Sequence, residues 1–404
     1  MVSEPSALLV RATALYLPIL LVAALTLHRR PDRRQVAGAV LATAWNLVAL
    51  LAVNLVAVRA GWWSFGTEVA SVGGVPADLW VGWALLWGAA PILASTSRLA
   101  VVAGALFVAD LVLMPLADPV VVLGADWLVG EGLAVAVGLV PGLALGRWTA
   151  RGEQVHLRSA LQVVAFTGLL AFVLPSLIFT ITGDGWAPLL ERPRWQLVLA
   201  GVVLAPVGAT AIQAVREFAA HGGTPVPLDP PTALVTGGPY AYVANPMQLA
   251  GTILLAAWGL VLASPAVVAA AVMGAAFSAG LAAWSEEREL DGRFGGAWGA
   301  YRRHVRLWWP SWRPAAPVAA VVYVAASCDP CCEVARFLAR RRPRGLEVRP
   351  AEVCRSRCGG SPTSGGASAW RGWPPSAAAS STRAWAGPWS AGSAASPASS
   401  RSSS

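Results

Sequence analysis

This 404-residue chain contains no lysine, and charged residues make up only 13% of it. It has four histidines, and its five cysteines all follow position 327. So little charge excludes an ordinary soluble domain, in which about a quarter of the residues are charged. No Ser-His-Asp set can be read from the spacing of these residues. The net charge of +9 rests on arginine alone. No basic stretch carries a recognisable nucleic-acid module, which excludes nucleic acid as a partner. The arginine, together with abundant Ala, Gly, Pro and Trp, points to a GC-rich coding sequence.

What is present is apolar: 56% of the residues are hydrophobic and the mean hydropathy is +0.58. Nine runs approach the roughly 20 residues needed to cross a bilayer, at about 8–27, 36–58, 76–96, 99–116, 128–146, 160–181, 197–214, 247–263 and 266–283. The first run is one of many, so a cleaved signal peptide is the weaker reading. The expected fold class is an all-α polytopic membrane protein with a short C-terminal α/β segment. Arg29, Arg30, Arg33 and Arg34, then Arg98, Arg147, Arg151, Arg158, Arg216, Arg288, Arg293, Arg302 and Arg303, fall on one side of this count. Glu68, Asp118, Asp126, Asp184 and Glu191 fall on the other, with Arg192 and Arg194 as exceptions. The positive-inside rule then describes a multi-pass cell-membrane protein with its N-terminus outside and its C-terminal segment in the cytoplasm. The third and fourth runs, parted only by a turn at 95–98, define the least regular part of this pattern.

Polar groups inside the runs are costly and ask for a reason. Asn46, Asn54 and Asp110 are expected to face the bundle; Asp110 has no visible partner and reads as a packing residue. Trp62, Trp63, Trp80, Trp83 and Trp87 read as anchoring or packing groups. The loop 215–246 is long for a bundle and rich in Gly and Pro, and long ordered loops are often functional. The last two runs meet at Ser264-Pro265 in a tight hairpin, where Pro ends one helix and starts the next. Region 284–310 reads as a surface helix, with Trp308, Trp309 and Trp312 at the interface.

The densest motif is Gly238-Pro-Tyr240-Ala-Tyr242-Val-Ala-Asn245-Pro246-Met247, followed after the hairpin by Glu286-Glu287, Phe294-Gly295 and Trp298-Gly-Ala-Tyr301. Taken singly, the glycines read as a turn, the two glutamates as solvated surface, and Tyr240, Tyr242 and His304 as interface residues. Together, over about 200–312, they resemble the isoprenylcysteine carboxyl methyltransferase and phospholipid methyltransferase superfamily. That family reads Gly-x-Tyr-x-x-x-Arg-(His/Asn)-Pro-x-Tyr, then an apolar hairpin, then Glu-Glu, Phe-Gly and Tyr-x-x-Tyr. The resemblance implies an integral-membrane enzyme that binds S-adenosylmethionine at the cytoplasmic ends of its last helices and methylates a lipophilic acceptor: a phospholipid amine, an isoprenoid-type carboxylate or a thiol. It implies Tyr240, Asn245, Pro246, Glu286, Glu287 and Tyr301 as cofactor-binding residues. The chain departs from the pattern at Ala241, Ala244, Gln248 and Trp298, so a counter-charge for a carboxylate is expected from Arg288, Arg302 or Arg303. In-line methyl transfer needs alignment and exclusion of water more than a strong acid or base.

The expected organisation is an N-terminal bundle over 1–196, a methyltransferase-like domain over 197–314, a CxxC segment over 318–352 and a low-complexity tail over 353–404. In the third, Val318–Ala325 reads as a strand, Cys331–Arg342 as a helix and Leu346–Arg349 as a second strand. Cys328-Asp-Pro-Cys331 would open the helix, where a thiolate is favoured. The segment resembles the thioredoxin-like DCC family. A zinc site from Cys328, Cys331, Cys354 and Cys358 is the competing reading. The tail, aromatic yet without period, reads as an out-of-frame end. Two further readings of the whole chain remain at this point: a membrane-anchored thiol–disulfide oxidoreductase using Cys328 and Cys331, and a non-enzymatic transporter, against which no inverted repeat is detectable.

Overall fold

In a bilayer an apolar stretch has no hydrogen-bond partner but its own backbone, so it folds as a helix. The computed structural model describes residues 4–66, 70–94, 98–226, 229–315, 320–324, 329–341 and 346–350. Among the described residues, seven apolar helices are long enough to cross a membrane. They are α1 (Glu4–Arg29), α2 (Arg33–Ala60), α4 (Leu99–Leu116), α5 (Trp127–Arg151), α6 (Val155–Thr182), α7 (Arg194–Ala220) and α9 (Pro265–Phe294). Two shorter apolar helices complete the series, α3 (Ala77–Leu93) and α8 (Pro246–Val261). The structure shortens the expected third run and bends it at Gly88, where an added Cβ would lie 2.5 Å from the Thr43 backbone.

Contacts divide the chain into Met1–Ala315 and Ala316–Ser404. In the first unit the core is built on α2. Gly138, Gly142 and Gly146 recur every fourth residue along one side of α5 and let the backbone of α2 approach closely. A Cβ at Gly38 would stand 2.4 Å from the Gly146 carbonyl oxygen, and one at Gly142 would stand 2.5 Å from Asn46 Nδ2. Asn46 is therefore fully buried between the two helices, and its amide donates back to the Ala42 carbonyl at 2.9 Å. A two-stranded antiparallel ribbon, β1 (Trp63–Phe65) with β4 (Val121–Leu123), crosses one end of this bundle. Beside it β2 (Ser71–Val72) pairs with β3 (Val75–Pro76).

Two sequence readings change here. Asp110, expected to pack without a partner, accepts a hydrogen bond from Trp83 Nε1 at 2.7 Å. Arg192, an exception to the charge pattern, caps the C-terminal end of α8, donating to the Val261 and Leu260 carbonyls at 2.5 and 2.6 Å. They lie at the negative end of the helix dipole, so a cation is favoured there whatever the side of the membrane. Arg33 meets Glu289 at 3.2 Å, so the start of α2 and the late part of α9 lie at the same end of the bundle.

In the second unit β5 (Ala320–Val324) and β6 (Leu346–Pro350) pair in parallel, Ala320 opposite Leu346, on either side of α11 (Asp329–Arg341). The helix begins two residues earlier than its sequence suggested. Cys328, Cys354, Cys358 and the tail from 353 lie outside the described residues, and of Cys331 only the helical backbone is described.

Candidate functional site

The site forms where α7 ends, α8 begins and α9 runs out into α10 (Gly296–Arg302). The loop before α8 makes a single tight turn at Gly238–Ala241. Gly238 is needed there: its φ is +56°, and a Cβ would press to 3.0 Å from Glu217 Oε1 in the last turn of α7. Pro239, with φ preset, opens the turn and buries Tyr240. The Tyr240 ring stacks on Phe218 at 5.2 Å. Pro246 occupies the first turn of α8, and Asn245 precedes it at the cap position. An Asn there normally caps the helix with its side chain, but Asn245 makes no such bond.

Backbone bonds lace this loop to the segment after α10. Ala244 N–H donates to the Arg306 carbonyl at 2.9 Å and Asn245 N–H to the Leu307 carbonyl at 3.2 Å. In return Ser311 N–H reaches the Tyr242 carbonyl at 2.9 Å and Ala315 N–H the Ala241 carbonyl at 2.8 Å. The buried Tyr301 hydroxyl donates to the Tyr240 carbonyl at 2.7 Å. Ala244 packs with Trp298, Tyr301 and Val305. Ala244 and Trp298, two of the positions noted in the sequence, thus belong to one buried cluster.

Tyr240, Asn245, Pro246 and Tyr301 are therefore brought together. Glu286 and Glu287, adjacent in sequence, separate in role. Glu287 turns to Arg302, at 3.3 Å in a half-exposed pair. Glu286 lies close enough to Tyr240 to act on its titration. Burial first, then the charges of Tyr301, Glu286 and Glu217, push the Tyr240 phenol well above its ordinary value. Burial likewise raises Tyr301, with Arg302 opposing. Both hydroxyls stay protonated at neutral pH and can donate hydrogen bonds. Of the arginines expected to supply counter-charge, Arg302 is engaged by Glu287 and the Val305 carbonyl. Arg288 lies over the Trp284 ring at 3.9 Å, and Arg303 is exposed. His304 is exposed and within 3.1 Å of the Ala300 carbonyl.

Four buried polar atoms here have no hydrogen-bond partner among the described residues: Tyr240 Oη, Asn245 Nδ2, Gln248 Oε1 and Trp308 Nε1. Buried polar atoms are nearly always satisfied, so four of them on this loop, the start of α8 and the segment after α10 leave hydrogen bonds for a polar ligand to make. Residues 195–297 match the family model of the phospholipid methyltransferases. No curated protein and no solved structure matches the chain. The phospholipid methyltransferase match spans α7, the lacing loop, α8 and α9, and it ends inside α10. S-adenosylmethionine, the methyl donor implied by that family, carries two positive groups and a carboxylate on a polar body. The residues present fit it: Glu217 and Glu286 supply negative charge, and the four unsatisfied atoms offer both donors and acceptors. Glu217, Phe218, Gln248 as a ligand group and Trp308 were missed from sequence. Glu217 and Phe218 sit in the last turns of an apolar helix, where a charge reads as a solvated boundary. The signal that could have found them is the pair of glycines at 237 and 238, small residues facing that turn.

Proposed function

We propose that the region from α7 to residue 315 is an S-adenosylmethionine-dependent methyltransferase acting on a lipid-borne nucleophile, an amine before a carboxylate or thiol. The observation that carries this reading is the coincidence of the phospholipid methyltransferase match with the cluster of unsatisfied buried polar atoms at Tyr240, Asn245, Gln248 and Trp308. Asn245 Nδ2 and Trp308 Nε1 are donors for the cofactor's oxygens and ring nitrogens, and Gln248 Oε1 accepts from its amino groups. Tyr240, kept neutral by burial, donates as well. Glu217 and Glu286 hold cationic groups on donor and acceptor. When bound, S-adenosylmethionine would supply a methyl group on a positively charged sulfur to the unprotonated form of the acceptor, with a thioether as the leaving group. The protein's contribution is orientation and dryness, and the backbone lacing between 241–245 and 306–315 supplies the rigidity.

The length of α8 supports a lipid acceptor. Its 16 residues span about 24 Å, against a hydrocarbon core of about 30 Å. A helix this short need not reach both surfaces, and in this reading its Asn245-Pro246 end lies where an acceptor arrives laterally with its tails still in lipid.

The test uses the full chain in lipid nanodiscs. Radiolabelled S-adenosylmethionine should bind, and label should pass to an aminophospholipid in the disc. Binding should fall at least tenfold in Asn245→Ala and Tyr240→Phe with the melting temperature retained. A folded wild-type protein that binds no cofactor in lipid overturns the proposal.

A further inference from the structure

The N-terminal bundle, outside the phospholipid methyltransferase match, encloses a second polar site. At the end crossed by the β1–β4 ribbon lies a cavity of about 50 Å³. It is lined by two acids, Asp110 from α4 and Glu131 from α5, and by the indoles of Trp63, Trp80, Trp83 and Trp87. Both acids are almost sealed from solvent, at 3% and 2% exposure. Both carboxyl groups line this one cavity. Asp110 also accepts from Trp83 Nε1, but Glu131 Oε1 is buried with no partner among the described residues. Asn54 Oδ1, a third oxygen on the lining, is taken by Trp63 Nε1 at 3.0 Å. The described lining carries no basic side chain.

An acid pair inside a membrane bundle is costly and marks function by default. Two acids on one small cavity whose described lining has no basic side chain leave negative charge there without a counter-ion. A monovalent cation is what that charge lacks. Hard metal ions need six or more oxygens at about 2.0–2.6 Å. Here two carboxyls and an occupied amide are available, and among the described residues no group of three or more acids, histidines or cysteines could hold a metal. Aromatic rings around a charge favour an organic cation instead. The size bounds it: a water needs about 10–15 Å³ of such volume, so the cavity has room for about four non-hydrogen atoms. We infer that the Asp110–Glu131 pair and its tryptophan surround form a binding site for a small alkylammonium ion. Alternation of the helices places it at the opposite end of the bundle from Asn245 and Glu286, so it is separate from the methyl-transfer site.

Trimethylammonium is the probe, titrated into the full-length protein in nanodiscs at constant ionic strength and followed by tryptophan fluorescence and calorimetry. Saturable binding is expected, with neutral tert-butanol of the same size at least tenfold weaker. Glu131→Gln and Asp110→Asn should each weaken binding at least tenfold, and Glu287→Gln should leave it unchanged. No saturable binding, equal binding of tert-butanol, or sodium or potassium competing as well as trimethylammonium would each overturn the inference. The tert-butanol comparison uses the wild-type protein alone, so it decides the matter even where an acid variant does not fold.

Discussion

The bundle around α2 and the region from α7 to residue 315 solve the same problem, holding polar groups in an apolar chain, by different means. In the first, half of the apolar window of α2 is buried and 44% of that of α5, and glycines bring the backbones into contact. Polar side chains there are enclosed by helix packing. In the second, only 6% of the corresponding window of α7 and 17% of that of α9 is buried. The order there comes from backbone hydrogen bonds between loops at the helix ends. Packing buries the polar groups of the first region; lacing orders the helix ends of the second. The difference suits a small ion in one region and a lipid acceptor in the other.

The two regions are joined by a buried ion pair between Arg158 of α6 and Asp229 in the loop before the site, with side chains 2% and 4% exposed. Thr224 Oγ1 adds a hydrogen bond to the same carboxylate at 3.1 Å. Arg158→Met leaves Asp229 charged and unpaired, which costs about 3–5 kcal/mol, whereas the double variant Arg158→Met/Asp229→Leu should recover most of it. Thermal unfolding of the four proteins of this cycle checks it. If the single variants melt with the wild type, the two regions are independent and the comparison loses its link. Next in size is Gly38→Leu, which drives a side chain into the Gly146 carbonyl and should cost about 3 kcal/mol. The same change at Gly251 of α8, where an added Cβ meets nothing within 4 Å, should be nearly neutral. Equal melting of the two variants would show that close helix packing does not distinguish the regions.

How much of this was legible in the sequence differs by region as well. Among the described residues hydropathy located the seven long apolar helices and the two shorter ones, because a span is a property of consecutive residues. The Gly138, Gly142 and Gly146 stripe was hidden by the abundance of glycine in the chain, since what matters is which glycines face α2. Glu131 lies inside an apolar run 21 positions from Asp110, and only the fold makes them neighbours. At the candidate site the turn, the Asn-Pro step and the late tyrosine, which the structure brings together, stood out because the motif keeps its order along the chain. The different roles of Glu286 and Glu287 were not, because neighbours on a helix point about 100° apart and only the partners decide which faces inward.

Smaller effects sharpen the contrast within the laced region. Tyr301→Phe removes the donor to the buried Tyr240 carbonyl and should cost about 1–3 kcal/mol. Tyr240→Phe removes a hydroxyl with no partner among the described residues, so it should leave stability unchanged or raise it while weakening the cofactor. It should also alter the response to alkali. The folded-state value of Tyr240 lies above its unfolded value of about 10. Its contribution is therefore complete below about pH 10 and is lost as the pH rises beyond it. Melting curves between pH 9 and 11, flanking that value, should fall less steeply for Tyr240→Phe than for the wild type. Parallel curves would mean that Tyr240 is not held protonated by the site.

The smallest expected effect separates the two adjacent glutamates. Glu287 pairs with Arg302 while its side chain is 46% exposed, and screened surface pairs contribute at most about 1 kcal/mol. Glu287→Gln should shift the melting temperature marginally and leave cofactor binding within a factor of about three, under 1 kcal/mol. Glu286→Gln takes away a charge facing Tyr240 and should weaken cofactor binding at least tenfold with little change in melting. Measured side by side in nanodiscs, the two substitutions remove the same charge one residue apart. If Glu287→Gln proves the more damaging to binding, then the inward carboxylate is misassigned, and the cationic end of the cofactor belongs beside Arg302 rather than beside Tyr240.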